Sequence, residues 1–164
     1  MNPRFYLVFP ILLLTSCYGD PSETKELHFN DFTIKVPGNW HRYTEEFPDF
    51  EMKGITNEVD SIWYEFAFSK NDFIGKVGEG HLYATDTING FPAYIAIPDS
   101  STIGYTRLLV DIDSNRRFMM SGYKIKDVQT VLSIFKSARF ANGDTSKNPV
   151  LTRDRFSKTA PSPY

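Results

Sequence analysis

The chain has 164 residues, of which 41% are hydrophobic, 15% aromatic and 23% charged, and it contains a single cysteine. This length and composition fit one globular domain with terminal extensions and exclude collagen-like, disordered acidic and disulfide-stapled proteins. Eighteen Lys and Arg residues against 20 Asp and Glu residues give a formal charge of −2. Because that balance lacks the basic excess that phosphate backbones attract, we expect no nucleic-acid partner.

The N-terminus has the pattern of an export signal. Arg4 precedes an apolar run from Phe5 to Leu14, which is about half the length of roughly 20 residues that a membrane-spanning helix needs. The segment Leu14-Thr15-Ser16-Cys17 then resembles the bacterial lipobox. That resemblance implies that residues 1–16 are a signal peptide, that the Cys17 sulfur receives a diacylglyceryl group, and that cleavage makes Cys17 the first residue. The alternative is an ordinary signal followed by an unmodified cysteine.

The segments flanking the domain are polar. Residues 17–28 include Pro21 and show no apolar period, so we expect a flexible tether between the lipid and the domain. Beyond Ala141 the sequence contains three prolines and little periodicity, which predicts a disordered tail over 141–164. The folded domain is therefore expected over 29–140.

Within that domain, period-two patterns predict strands. Phe32–Val36 alternates apolar and polar residues and is stopped by Pro37-Gly38-Asn39. Ser61–Ser69 is the clearest strand. Leu82–Ile88 and Phe91–Ile97 flank Asn89-Gly90, which is the signature of a type I′ hairpin. Tyr105–Ile112 and Phe118–Tyr123 form a second antiparallel pair.

The pattern changes to a helical period near the end of the domain. Ile125, Val128, Val131, Leu132 and Phe135 share one stripe, and Asp127 is placed as the N-cap. Ala138–Phe140 is expected to form a last short strand. These elements predict an α+β domain, mainly antiparallel sheet with packed helices.

Four segments carry a family resemblance. The strand and turn from Phe32 to Trp40, with the helix end at Ile134–Phe140, resemble the PsbP-like α/β/α sandwich. The segments Glu58–Phe66 and Thr85–Ala93 are similar to uncharacterised lipoproteins from Bacteroidetes-type bacteria. The resemblance implies helices on both faces of the sheet. It transfers no site residue, and the photosystem and Ran-binding functions of known relatives are not carried over.

The sequence contains no local catalytic or metal-binding signature. The three histidines, His28, His41 and His81, show no paired ligand spacing, so we expect no metal and no cofactor. Asp111-Ile-Asp113-Ser-Asn115 imitates the start of a calcium loop, but Arg116 and Gly122 occupy positions that require Gly and Glu, which favours a hairpin turn. A glycine cluster at Gly75, Gly78 and Gly80 lacks the dinucleotide-binding spacing and predicts a loop. We therefore assign no catalytic residue.

Aromatic residues are the one compositional excess. Seven of them could form a platform that stacks on a sugar or grips an extended peptide: Trp40, Tyr43, Trp63, Tyr64, Tyr94, Tyr105 and Tyr123. The favoured interpretation is that they are core and sheet-face residues of a small sandwich. Trp40 is expected in packing, and Trp63 lies opposite the apolar row, where helices on both faces would bury it.

These observations predict a lipid-anchored protein of the bacterial cell envelope, held at the outer membrane through Cys17, with the side of that membrane left open. We expect a binding or assembly-accessory module without covalent chemistry, whose ligand or envelope protein partner the residues do not name. The alternative is an envelope hydrolase with a site dispersed over loops, which requires a His or carboxylate pair in a shared cleft.

Overall fold

The described part of the protein consists mainly of antiparallel strands. The computed structural model describes residues 23–67, 80–113, 116–141 and 156–159, and strands account for 57% of these residues against 8% in one helix. The strands are β1 (Thr24–His28), β2 (Phe32–Pro37), β3 (His41–Glu46), β4 (Glu51–Thr56), β5 (Ser61–Ala67), β6 (His81–Ile88), β7 (Phe91–Pro98), β8 (Tyr105–Asp111), β9 (Arg117–Tyr123) and β10 (Arg139–Phe140). Helix α1 spans Val128–Lys136.

The strands form two sheets. The larger has seven strands in the order β3-β4-β5-β9-β8-β7-β6, and the smaller has three in the order β1-β2-β10. The small sheet and α1 both contribute to one apolar core on the same side of the large sheet. We call this side of the large sheet the core side, and the opposite side the outer face.

The prediction of an α+β sandwich with packed helices is wrong. The described residues contain two sheets and a single helix, whereas the resemblance implied a helical layer on each side. The sequence pattern also predicted no strand in residues 41–56, which form β3 and β4. Because β3 is an edge strand with five of its six residues exposed, it shows no apolar alternation that the sequence could reveal.

The individual strand predictions are confirmed where the structure describes them. Ile62 on β5 is fully buried in the core while Trp63 is outside it, as alternation requires. Asn89 and Gly90 have φ of 53° and 85°, the left-handed values that a type I′ turn needs. Strands β8 and β9 pair in antiparallel register from Tyr105 opposite Tyr123.

The folded body extends beyond the predicted limits at both ends. Residues Thr24–His28, placed in the predicted tether, form β1 and pair with β2. Ser157, in the predicted disordered tail, exchanges two backbone hydrogen bonds with Tyr83 at the edge of β6, and Phe156 packs against the core. Both segments gain order from backbone pairing with a neighbouring strand, which an apolar pattern does not report. Residues 17–22 of the tether and residues 142–155 and 160–164 of the tail lie outside the described residues.

Helix α1 is fixed at its beginning by two carboxylates. Asp127 is the N-cap, and its side chain accepts hydrogen bonds from Thr130 N (3.0 Å) and Thr130 Oγ1 (2.7 Å). Asp60, buried at the β4–β5 turn, accepts from Lys126 N (2.7 Å) and Asp127 N (3.0 Å). At the helix end Lys136 reaches the buried Asp86 carboxylate on β6 (3.6 Å). No helix in the described ranges is long and apolar enough to cross a bilayer.

The N-cap gives helix α1 an acid-sensitive contribution to stability. The hydrogen bonds from the Thr130 hydroxyl and N–H lower the pKa of Asp127 below its usual 3.8. Since the folded state holds the charged form, this contribution is present above the unfolded pKa and is lost as pH falls through the folded pKa. We expect Asp127→Ala to lower the free energy of unfolding by about 1 kcal/mol at pH 7, and by less near pH 3. Urea denaturation at both pH values measures this, with exposed Asp49→Ala as the control; an equal loss at both values would contradict it.

Candidate functional site

The outer face of the large sheet carries a group of aromatic side chains. We call Tyr43, Trp63, Tyr94, Tyr105 and Tyr123 the aromatic face. They come from five different strands, and each is at least partly exposed to solvent. The register of the strands, described next, places all five on the same side of the sheet.

One row of paired residues crosses five strands of the sheet. Tyr43 on β3 pairs with Gly54 on β4, Gly54 with Trp63 on β5, Trp63 with Ser121 on β9, and Ser121 with Arg107 on β8. Directly paired residues present their side chains to the same face. Because neighbouring strands lie about 4.8 Å apart, the backbones of Tyr43 and Trp63 are separated by about 10 Å across the sheet.

Gly54 provides the space in which the Tyr43 ring lies. A Cβ atom at Gly54 would clash with the Tyr43 ring and with the backbone oxygen of Ile62. The Tyr43 ring therefore rests over the backbone of β4, beside Trp63. Burial, with a smaller effect from the Glu45 carboxylate, raises the pKa of the Tyr43 phenol. The phenol is therefore a neutral hydrogen-bonding group at physiological pH.

A cationic group adjoins two of the tyrosines. The Tyr105 and Tyr123 rings are cross-strand neighbours with centroids 4.9 Å apart. The Arg107 guanidinium lies 4.4 Å from the Tyr105 ring centroid, and its Nε donates to the buried Ser121 hydroxyl at 3.1 Å. Burial lowers the pKa of Arg107, while the Tyr105 phenol acts in the opposite direction. Arg107 nevertheless stays protonated at neutral pH, so it holds a fixed charge against the aromatic face.

A second row completes the face. Glu65 on β5 pairs with Met119 on β9, Met119 with Leu109 on β8, and Leu109 with Tyr94 on β7. Met119 and Leu109 are buried, whereas Tyr94 is half-buried and Glu65 exposed. Because Met119 is two residues from Ser121 on β9, this row lies on the same side of the sheet as the first, and Tyr94 belongs to the aromatic face.

The seven aromatic residues singled out in the sequence divide between the two sides of the sheet. Trp40 is 1% exposed and belongs to the core, which confirms its prediction as a packing residue. Tyr64 packs on the core side against Phe29 and Phe32. The other five form the aromatic face. Trp63 is half-buried, since α1 lies on the core side.

The three histidines singled out in the sequence lie at separate places in the described part of the chain. His28 and His41 are exposed, and His41 Nε2 lies 3.2 Å from Glu58 at the protein surface. His81 is buried beside Gly104. Within the described ranges no three His, Cys, Asp or Glu residues are grouped as metal ligands would be.

The calcium-like segment acts as the β8–β9 connection, as expected. Asp111 pairs with Arg117 and Asp113 with Arg116, each at 2.7 Å. These arginines neutralise the carboxylates that a calcium ion would need. Cys17, Gly75 and Gly78 lie outside the described residues, and Gly80 begins the described segment with φ of 80°.

Sequence reasoning missed the polar part of the face. Arg107 alternates with the buried Leu108 and Thr106 on β8. The strand pattern therefore indicates the side of the sheet on which Arg107 lies. Its pairing with Ser121 depends on the register of β8 against β9, which the sequence does not specify. No family model and no curated protein matches the chain. The geometry of the aromatic face favours stacking and hydrogen bonding.

Proposed function

We propose that this protein is a lipid-anchored component of the bacterial cell envelope that acts by binding a saccharide chain on its aromatic face, without covalent chemistry. The anchor is Cys17, by the Leu14-Thr15-Ser16-Cys17 motif and the apolar run before it. Two or more acyl chains would hold the domain firmly at a membrane. The outer membrane remains our expected site, with its side left open.

The observation that carries the binding proposal is the row from Tyr43 to Arg107. Pyranose rings present C–H groups on their flat faces and hydroxyl groups at their edges. Trp63 and Tyr43 offer flat aromatic surfaces at low conformational cost, at adjacent positions on the outer face because the Tyr43 ring lies over Gly54, which pairs with Trp63. The phenols of Tyr43, Tyr105 and Tyr123 supply donors for hydroxyl oxygens.

An extended peptide fits this surface less well. Peptides that bind sheets commonly add a strand at an edge, where unpaired backbone groups are available. At the β6 edge Tyr83 already pairs with Ser157, and β3 at the opposite edge carries Glu45 and Glu46, which discourage strand addition. The aromatic face instead spans the middle of the sheet.

The proposal predicts that removing two rings of the aromatic face abolishes retention on glycan. We expect the Trp63→Ala, Tyr105→Ala double variant to bind insoluble chitin or cellulose at least tenfold more weakly than the wild type, because aromatic anchors dominate binding at such surfaces. Co-sedimentation of the purified mature protein with each polymer measures this.

The matched control is Phe50→Ala, which removes an aromatic side chain that is 60% exposed in the β3–β4 turn, away from the face. We expect this variant to bind as the wild type does. Equal binding by the double variant, or an equal loss with Phe50→Ala, would contradict a saccharide site on the aromatic face. Strand-like peptides competing for retention would indicate a peptide ligand instead.

A further inference from the structure

A concave site opens between the two sheets on the core side, and Tyr43 of the aromatic face also borders it. It is a cavity of about 410 Å³ bounded by the β1–β2 turn and by β3, β4 and β5. We call it the inter-sheet cleft. Its volume is within the range of small-molecule pockets, about 300 to 1,000 Å³.

The base of the inter-sheet cleft is aromatic. Phe29 and Phe32 are stacked with centroids 4.5 Å apart and planes within 5° of each other. The Tyr64 ring meets both edge-on, at 4.9 Å from each centroid. Phe29 and Tyr64 are half-buried, whereas Phe32 is buried. The cleft therefore offers a planar apolar ligand ring faces and edges held in place by packing.

The rim carries two cations, Arg42 and Lys53, and among the described residues only Lys53 has a carboxylate partner. Arg42 pairs with the buried Ile55 in the β3–β4 ladder, so its side chain is on the core side, where its guanidinium lies 4.5 Å from the Phe29 ring centroid. Among the described residues no carboxylate lies within ion-pair distance of Arg42. Lys53 Nζ instead pairs with Glu51 Oε2 at 2.8 Å.

The charges at the rim act together on the Tyr64 phenol. Burial raises the pKa of Tyr64, Lys53 and Arg42 oppose that rise, and Glu51 and Asp31 add to it. Arg42, Lys53 and Asp31 line the cleft, and Glu51 lies beside Lys53. Since Lys53 is already paired, Arg42 is the cation available to an incoming anion, and Asp31 would repel a ligand with several negative charges.

We propose that the inter-sheet cleft binds a small monoanion with a planar apolar body, whose carboxylate pairs with Arg42 and whose ring packs against Tyr64 and the edge of Phe29. The guanidinium is a planar fork that accepts a carboxylate through two parallel hydrogen bonds. Its position above Phe29 fixes one of its faces and leaves its edge for the ligand. Of the five residues of the aromatic face, Tyr43 alone also borders the cleft, so this proposal does not rest on saccharide binding by the outer face.

The test uses naphthalene-2-carboxylate and its neutral carboxamide as matched probes of the intact protein, with affinity measured from probe fluorescence. We expect the carboxylate to bind the wild type at least tenfold more tightly than the carboxamide, since charge-assisted pairs are stronger than neutral ones. Arg42→Gln should remove that preference, and Arg42→Lys should retain part of it. Arg116→Gln, an exposed arginine in the β8–β9 connection, is the control and should change nothing.

Several results would overturn the proposal. These are the absence of saturable binding to the wild type, equal affinities for the two probes, or a preference that persists in Arg42→Gln. Phe29→Ala adds a second check, because it should weaken both probes alike. Trp63→Ala should leave probe binding intact, so failure at the inter-sheet cleft and failure at the aromatic face are distinguishable.

Discussion

Asp60→Ala is expected to lower the free energy of unfolding by about 3 kcal/mol, because hydrogen bonds to charged groups contribute about 1.5 to 3 kcal/mol each and do not add fully. Asp60 is 3% exposed, and its two oxygens accept from the backbone N–H groups of Lys126 and Asp127. Its own N–H donates to Asn57 Oδ1 at 2.7 Å. Removal of the carboxylate leaves two N–H groups ahead of α1 without these partners.

Chemical denaturation followed by far-UV circular dichroism measures this loss. Asp60→Asn keeps one acceptor oxygen and should lose less than Asp60→Ala. Asp113→Ala removes an exposed carboxylate that pairs with Arg116, and should cost less than about 1 kcal/mol, as surface ion pairs do. If Asp60→Ala were as stable as Asp113→Ala, the β4–β5 turn would not hold the helix in the way described.

Cys17→Ala is expected to abolish lipid attachment completely. In the proposed anchor, the Cys17 sulfur is the atom that carries the diacylglyceryl group, so alanine leaves no acceptor. Growth of the producing bacterium with an alkyne-labelled palmitate, followed by coupling to a fluorophore, measures attachment directly. The wild type should be labelled and the variant should not.

Thr15→Ser is the matched control for the anchor, because it keeps a small residue within the motif and should preserve labelling. The variant Cys17→Ala should also retain residues 1–16, since cleavage in proteins with this motif follows lipid attachment. Labelling that persists in Cys17→Ala, or a wild type that takes up no label, would refute the lipid anchor.

Local patterns predicted the strands that have one buried side, and failed where order comes from elsewhere. The alternation in β2 and β5 follows directly from burial of one face, and Asn89-Gly90 dictated its turn. Strand β1 has four of five residues exposed, so its order depends on backbone pairing with β2. The second helical layer came from resemblance alone, and no run of residues other than 125–135 had indicated a helix.

The candidate site was predictable in its components and not in its arrangement. Alternation on β5 placed Trp63 opposite the core, and the structure confirms that separation. The neighbours of Trp63 depend on strand order, which places β9 beside β5 and β8 beyond β9. Tyr43 was singled out as an aromatic residue, but the side of the sheet on which it lies was hidden because β3 lacks an apolar period. The position of Arg42 over Phe29 joins residues from different sheets. Such tertiary relations leave no signal in a single sequence.

The two tryptophans provide the most direct test of saccharide binding on the aromatic face. Trp63 lies on that face and Trp40 is buried in the core, so their indole N–H signals in a nitrogen-15 NMR spectrum report on two separate places in one sample. Titration with chito-oligosaccharide or cello-oligosaccharide should shift the Trp63 signal in a saturable way and leave the Trp40 signal in place. A Trp63 signal that stays fixed up to the highest soluble concentration of both sugars would contradict the proposed function.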